Sequence, residues 1–290
     1  MTIERKIKKN IKNDLFKGKI IIIYGARQVG KTTLVKDIQK EYTDESSYFN
    51  CDEPDIRRAL TDKTSVELKA FLGDKKLIIL DEAQRVKNIG ITLKLLADNF
   101  PRLQIIATGS SSFDLSNKVS EPLTGRKNEY YLYPFSLEEL KPIYSDLDIS
   151  RLLERMMIFG MYPEIIRKEA EAERNLKNIA KSYLYKDVLQ YQNIKNPDAL
   201  EKLLQALALQ VGGEVSYNEL AGMAGVDKNT VINYIRLLEQ AFIIFRLKPF
   251  SRNLRNELRK MRKIYFYDTG IRNALINNFN PLDLRRDAGS

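Results

Sequence analysis

Histidine is missing from the chain of 290 residues. Serine–histidine triads, histidine general bases and His-ligated zinc sites therefore cannot be assembled from it. Proton handling falls to carboxylates, Lys, Tyr or the single cysteine, Cys51. One cysteine excludes an internal disulfide framework, and a reducing cytoplasm is the expected setting. No apolar run approaches the ~18 residues that a membrane-crossing helix needs. Residues 1–10 are charged and lack the apolar stretch of a secretory signal. The chemistry left is electrostatic positioning, which is what phosphoryl transfer uses.

What is present in excess is basic charge, a formal net +10. That balance favours a polyanionic partner: a nucleotide, a nucleic acid or an acidic protein. The length suits one large domain or two smaller ones. Apolar runs alternate with helical periodicity in the first half, the sign of a parallel sheet covered by helices. Strands are expected at 19–24, 48–51, 77–80, 104–107 and 129–133, and helices at 32–42, 66–72 and 91–100. From Phe135 helical spacing dominates, over 137–143, 150–159, 164–191 and 197–211. Residues 216–223 and 228–241 read as a helix-turn-helix, with Ser216 as N-cap, Glu219 closing a capping box and Gly225 in the turn. Strands at 241–247 and 264–267 would give it a wing.

Gly25, Ala26, Arg27, Gln28, Val29, Gly30, Lys31 and Thr32 follow the first strand and open a helix, with the full spacing of a phosphate-binding P-loop. Glycines at 25 and 30 let successive amides turn inward, and the helix N-terminus adds positive potential. Lys31 is expected to reach the β- and γ-phosphates of ATP, and Thr32 to offer its hydroxyl to Mg2+. An apolar strand beside the P-loop strand is expected to deliver Asp81 to the magnesium shell, where a hard cation needs an oxygen ligand. Glu82, one residue on, can orient or activate the attacking water. Ser110, with Thr108 second, is the candidate sensor of the γ-phosphate. Arg126 is the candidate arginine finger, in its own chain or across a homo-oligomer interface; Arg27 and Arg85 are poorer candidates.

The outward face of the second helix of the helix-turn-helix presents Lys228, Asn229, Asn233 and Arg236, all capable of contacts to DNA. A basic segment over 246–263 would add a salt-dependent hold on a nucleic-acid backbone. The basic run Arg5, Lys6, Lys8, Lys9 and Lys12 reads as the solvated face of a helix covering the sheet. Three readings stay open: an ATPase whose cycle acts on DNA or a partner protein, a slow nucleotide-controlled switch, and a DNA-binding regulator with ATP as a structural ligand.

The motifs also carry a resemblance. Gly25 to Thr33, then Leu80-Asp81-Glu82-Ala83-Gln84, Ala107 to Ser112, Leu123 to Arg126 and Tyr133 to Leu140, in that order, resemble prokaryotic (archaeal-type) AAA family ATPases with a C-terminal DUF4143 domain. Phe159 to Glu164 and Tyr265 to Gly270 continue it. The resemblance implies an α/β P-loop NTPase (AAA+-like) core at 1–134, a helical lid at 135–196, a winged helix at 197–250 and the start of a last domain at 251–290, incomplete here and reminiscent of nuclease folds. It implies nucleotide contacts from Gly25 through Thr33, metal and catalytic carboxylates at Asp81 and Glu82, a sensor at Ser110 and an arginine at Arg126.

Overall fold

The computed structural model describes residues 3–110, 123–182, 194, 196–247, 262–285 and 287. It divides into two compact units, Met1–Tyr133 and Pro134–Ser290.

The first unit is built on a sheet of parallel strands in the order β2-β3-β4-β1-β5, comprising β1 (Ile20–Tyr24), β2 (Ser46–Asn50), β3 (Leu77–Asp81), β4 (Gln104–Gly109) and β5 (Lys127–Tyr131). β1, β3 and β4 are buried along their whole length. That burial explains why they read as unbroken apolar runs: a parallel strand covered on both faces has no polar side. Around the sheet run α1 (Ile7–Asn13), α2 (Lys31–Gln39), α3 (Pro54–Leu60), α4 (Ser65–Leu72) and α5 (Ile89–Asn99). Helix α4 starts at a full capping box between Thr64 and Glu67, which satisfies two otherwise orphaned amides. The sequence reading missed α3; Pro54 sits in its first turn, where the fixed φ of proline is already helical.

One expectation about order is corrected. β3 is not beside β1; β4 lies between them. The interposed strand ends in the small residues Thr108 and Gly109, and its threonine hydroxyl donates to Asp81 at the end of β3. β5 starts two residues earlier than expected.

In the second unit, α6 (Leu137–Leu140), α7 (Asp146–Phe159), α8 (Pro163–Arg167) and α9 (Ala172–Ser182) precede α10 (Pro197–Leu209), α11 (Tyr217–Ala224), α12 (Lys228–Gln240) and α13 (Thr269–Leu275). An antiparallel sheet in the order β6-β8-β7 joins β6 (Glu214–Val215), β7 (Ile244–Leu247) and β8 (Arg262–Phe266). The long helix expected over 164–191 is broken: Lys168 leaves helical geometry and a 3-10 turn, Glu169–Glu171, intervenes before α9. Residues 183–191 of that expected helix lie outside the described residues.

Two sequence motifs of this unit meet. The buried Asp268 carboxylate caps α13, accepting from the amide of Ile271 at 3.0 Å, and also takes the amide of Met161 at 2.7 Å. Gly160, at φ 71°, leaves room for it: a Cβ there would lie 2.0 Å from an Asp268 oxygen. A Cβ on Gly270 would lie 2.2 Å from the Phe159 carbonyl oxygen. The stretches around Gly160 and Asp268 are therefore complementary surfaces, which gives a packing reason for both. No described helix is long and apolar enough to cross a membrane.

Candidate functional site

The site lies at the C-terminal ends of β1, β3 and β4. After β1 the chain turns at Gly25, where a Cβ would lie 2.3 Å from the Leu132 carbonyl oxygen, so only glycine fits. Gln28 and Gly30 take positive φ values of 60° and 98°, and α2 begins immediately at Lys31. Gly30 bears that backbone without the Cβ penalty. The first amides of a helix have no partner within it; here the first intrahelical bond runs from Leu34 to Gly30.

Lys31 is buried and folds over the loop, donating to the carbonyls of Gly25 and Ala26 at 2.8 and 2.9 Å. From behind, Arg5 donates to the carbonyl of Val29 at 2.9 Å. The N-terminal basic run is thus corrected in part. Arg5 is buried against the loop, and Lys8 and Lys12 pair with acids of the α2 segment, Lys8 with Asp37 and Glu41, Lys12 with Glu41.

Asp81 ends β3 with 2% exposure, and its carboxylate accepts from three hydroxyls. Thr32 Oγ1 donates to Oδ2 at 2.6 Å, Tyr48 OH to the same oxygen at 2.7 Å, and Thr108 Oγ1 to Oδ1. Burial, then the Asp81 carboxylate, pushes the Tyr48 phenol well above its usual range. The amino group of Lys36 stands 4.8 Å over the Tyr48 ring. Cys51 follows β2, and burial, with Asp81 adding to it, pushes its thiol up to about 12. It is an inert packing group here.

Glu82 has a left-handed backbone, φ 53° and ψ 40°, which costs a residue with a Cβ about 1–3 kcal/mol and turns its side chain off the strand line. Its amide is taken by Thr108 Oγ1 at 3.0 Å. Gln84 Nε2 donates both to Glu82 Oε2 at 2.6 Å and to Ser110 Oγ at 3.0 Å. Ser110 is buried at the end of β4.

The structure therefore brings together Gly25 through Thr33, Asp81, Glu82 and Ser110. It does not bring Arg126 there. Arg126 immediately precedes β5, whose first residue pairs with Ile20 at the start of β1. That is the opposite edge of the sheet, about 16 Å away at ~3.3 Å per residue. Arg126 is ion-paired to Asp98 at 2.5 Å, and Arg85 pairs with Asp52 at 3.2 Å. Sequence reasoning missed Arg5, Tyr48 and Gln84. Tyr48 had no motif to mark it, whereas Gln84 lies two residues past Glu82 in a stretch already singled out.

Fit to a magnesium ion follows from the donor set. Thr32 and Asp81 offer hard oxygens 2.6 Å apart. No cluster of three or more His, Cys, Asp or Glu that could hold a metal occurs among the described residues. An ion here would depend on phosphate oxygens, which is how Mg2+ is usually held in such sites.

In the second unit, Lys228, Asn229, Asn233 and Arg236 are exposed on α12. Ser216 caps α11 by accepting from Glu219, whose own carboxylate takes Gln210 at 3.4 Å. Arg246 is neutralised by Glu239, with Nε to Oε1 at 2.6 Å. Residues 248–261 of the expected basic segment lie outside the described residues.

Comparison with known proteins agrees with this geometry. Residues 17–141 match the family model described as AAA domain, and residues 150–282 match a domain of unknown function, DUF8612. The AAA part of the resemblance is supported by these matches, and the DUF4143 part is not shown by them. The chain is 27% identical over 317 residues to an uncharacterised protein of Methanocaldococcus jannaschii, covering 94% of this chain and 65% of that one. It is 26% identical over 292 residues to an uncharacterised protein of Mycobacterium tuberculosis, covering 99% and 63%. The chain thus spans a little under two thirds of these relatives. Among solved structures, Drosophila ORC bound to AT-rich DNA and Cdc6 aligns with a TM-score of 0.35 at 11% identity, over 94% of this chain and 89% of that one. The Pif1 helicase of Candida albicans aligns with a TM-score of 0.31 at 13% identity, over 61% and 48%. Residues 17–141 thus match the AAA domain model and are built on an α/β parallel sheet.

Proposed function

We propose that the chain binds ATP with Mg2+ and hydrolyses it, and that the cycle acts on DNA or a partner protein. The observation that carries this reading is the convergence of Thr32 and Asp81 at 2.6 Å beside a buried lysine folded over the loop. Backbone amides from Gly25 through Thr33 hold the phosphates, and Lys31 exchanges its two carbonyl contacts for phosphate oxygens. Thr32 and Asp81 would hold Mg2+, which when bound neutralises charge building on the phosphates. Water attacks the terminal phosphorus as its proton passes to the Glu82 carboxylate, the bond to the bridging oxygen breaks, and ADP and phosphate leave. Glu82 orients that water, and Ser110 lies where a terminal phosphate oxygen would be sensed. Gln84 is a positioning residue, because one amide nitrogen ties Glu82 to Ser110.

The bond from Gln84 to Glu82 at 2.6 Å also favours a second reading, a slow switch whose water-activating carboxylate is held until nucleotide or partner frees it. For DNA, support comes from the exposed Lys228, Asn229, Asn233 and Arg236 on a helix-turn-helix with an adjoining antiparallel sheet, a winged-helix arrangement. Arg246 contributes little to it, being paired with Glu239. Arg126 acts on the terminal phosphate only across a subunit boundary, which makes a homo-oligomer part of that role. A cytoplasmic setting suits all of these readings.

Phosphate release by the wild type, with Mg2+ and with chelator, tests the enzymatic core: turnover that needs the ion supports it, and none under either condition removes it. Filter binding to duplex DNA across a salt series tests the DNA reading, which fails without affinity at low salt.

A further inference from the structure

The second unit contains a cavity of about 110 Å³ between α7, α13 and the segment after β8, with two arginines in its wall. Arg272 is 5% exposed, and the Arg285 side chain is likewise 5% exposed. Arg272 is placed by α13 and donates through Nε to the Ala208 carbonyl at 2.6 Å. Both guanidinium groups share the side-chain oxygen of Asn273 at 3.0 Å, and Asn273 is itself pinned to the carbonyls of Met157 and Ile158. The two arginine side chains and Asn273 are almost wholly buried.

Among the described residues its charge does not balance. The one acid of the wall among them is Asp287, which meets Arg285 at 2.9 Å through both carboxylate oxygens and also pairs with Arg272. The two guanidinium groups hold that carboxylate far below the ordinary range, Arg285 contributing most. The other lining residues include no acid and no further cation. Among the described residues, two buried guanidinium groups therefore face one carboxylate, and Arg285 Nη1 is buried with no hydrogen-bond partner among them. A buried unpaired donor on a cation is costly, the more so where the surroundings are of low dielectric. The cavity that the two arginines line, of about 110 Å³, is of a size for a small oxyanion.

We propose that this cavity binds a free oxyanion of phosphate size, with Arg272 and Arg285 as its ligands and the Asp287 carboxylate as a built-in competitor that limits its affinity. Guanidinium groups suit this role because their fixed fork of donors matches two oxygens of one anion. The site is independent of the nucleotide reading of the first unit. Asp287 repels the incoming anion and occupies donors that the anion would use, so the acid sets the concentration at which the site fills.

The test is calorimetric titration of inorganic phosphate, with sulfate as a second probe, into the full chain carrying Lys31→Ala to suppress binding at the loop. Three proteins are compared: that chain alone, with Arg285→Gln, and with Asp287→Asn. One phosphate per chain is expected in the first, weakened at least about tenfold by Arg285→Gln and tightened at least about tenfold by Asp287→Asn, as a like charge is removed from contact. The Asp287→Asn arm decides even if Arg285→Gln fails to fold, since a gain in affinity does not come from a damaged protein. If Asp287→Asn leaves phosphate binding unchanged or absent, the arginines are a structural clamp on Asp287 and the proposal is overturned.

Discussion

The hydroxyl of Thr32 and the carboxylate of Asp81 lie 2.6 Å apart although 49 residues separate them in the chain. One stands in the first turn of α2, the other at the last position of β3, and β4 runs between β3 and β1, the strand that leads into α2. The pair joins the loop before α2 to the end of β3, and Tyr48 and Thr108 donate to the same carboxylate.

Lys31→Ala should weaken ATP binding by roughly ten- to a hundredfold, the scale of hydrogen bonds to charged groups. The substitution also removes the donor from the buried carbonyls of Gly25 and Ala26, so urea unfolding of the variant is measured alongside. Equilibrium binding of a fluorescent ATP analogue checks this; affinity within twofold of wild type would separate the loop from nucleotide binding.

Tyr48→Phe removes one of the three hydroxyls on Asp81 while Thr32 and Thr108 remain. The expected loss of stability is about 0.5–1.5 kcal/mol by urea unfolding. A larger magnesium requirement for turnover should accompany it, since Asp81 then has one anchor fewer. An unchanged requirement would make Tyr48 a packing residue only.

Gln84→Ala cuts the link between Glu82 and Ser110. If Gln84 positions Glu82, kcat should change at least about tenfold while KM stays within about threefold, because the bonds from its amide nitrogen run to Glu82 and Ser110. Equal changes in both would point to general damage. A rise in kcat would show that Gln84 restrains the carboxylate; a fall would show that it aligns it.

Asp268 supplies a pH signature in the second unit. Burial raises its folded-state pKa to about 6 against 3.8 for the free group, despite the amides of Met161, Ile271 and Gly270 that oppose the rise. The folded protein therefore binds the extra proton between these values. Its stabilising effect is full below about 3.8 and gone above about 6. The stability difference between wild type and Asp268→Asn should shift by roughly 3 kcal/mol across that window, to the disadvantage of the wild type as pH rises. Parallel urea curves at pH 4, 5, 6 and 7 measure it, and a constant difference would show that Asp268 titrates normally.

The parallel sheet was legible because β1, β3 and β4 are buried on both faces and so leave continuous apolar runs, and the loop because backbone geometry demands glycine at Gly25 and Gly30. What escaped the sequence was whatever depends on neighbours across the sheet. The place of β4 between β1 and β3 is a matter of topology, which no local pattern carries. Tyr48 reaches Asp81 only because β2 pairs with β3 in a register that sets Asn50 against Asp81. Arg126 looked available by residue type, yet the direction of β5 puts it at the far edge. Arg5 read as one more surface cation until its contact with Val29 placed it under the loop.

The central claim is that Glu82 turns a phosphate-holding loop into a hydrolytic site, and steady-state phosphate release by the wild type and by Glu82→Gln, alongside ATP affinity for each, tests it most directly. The expected result is measurable turnover in the wild type, a loss of about a hundredfold or more in the variant, as befits removal of a general base, and ATP affinity within about threefold. Equal rates in the two proteins, or no turnover in either, would contradict it and leave a nucleotide-binding switch.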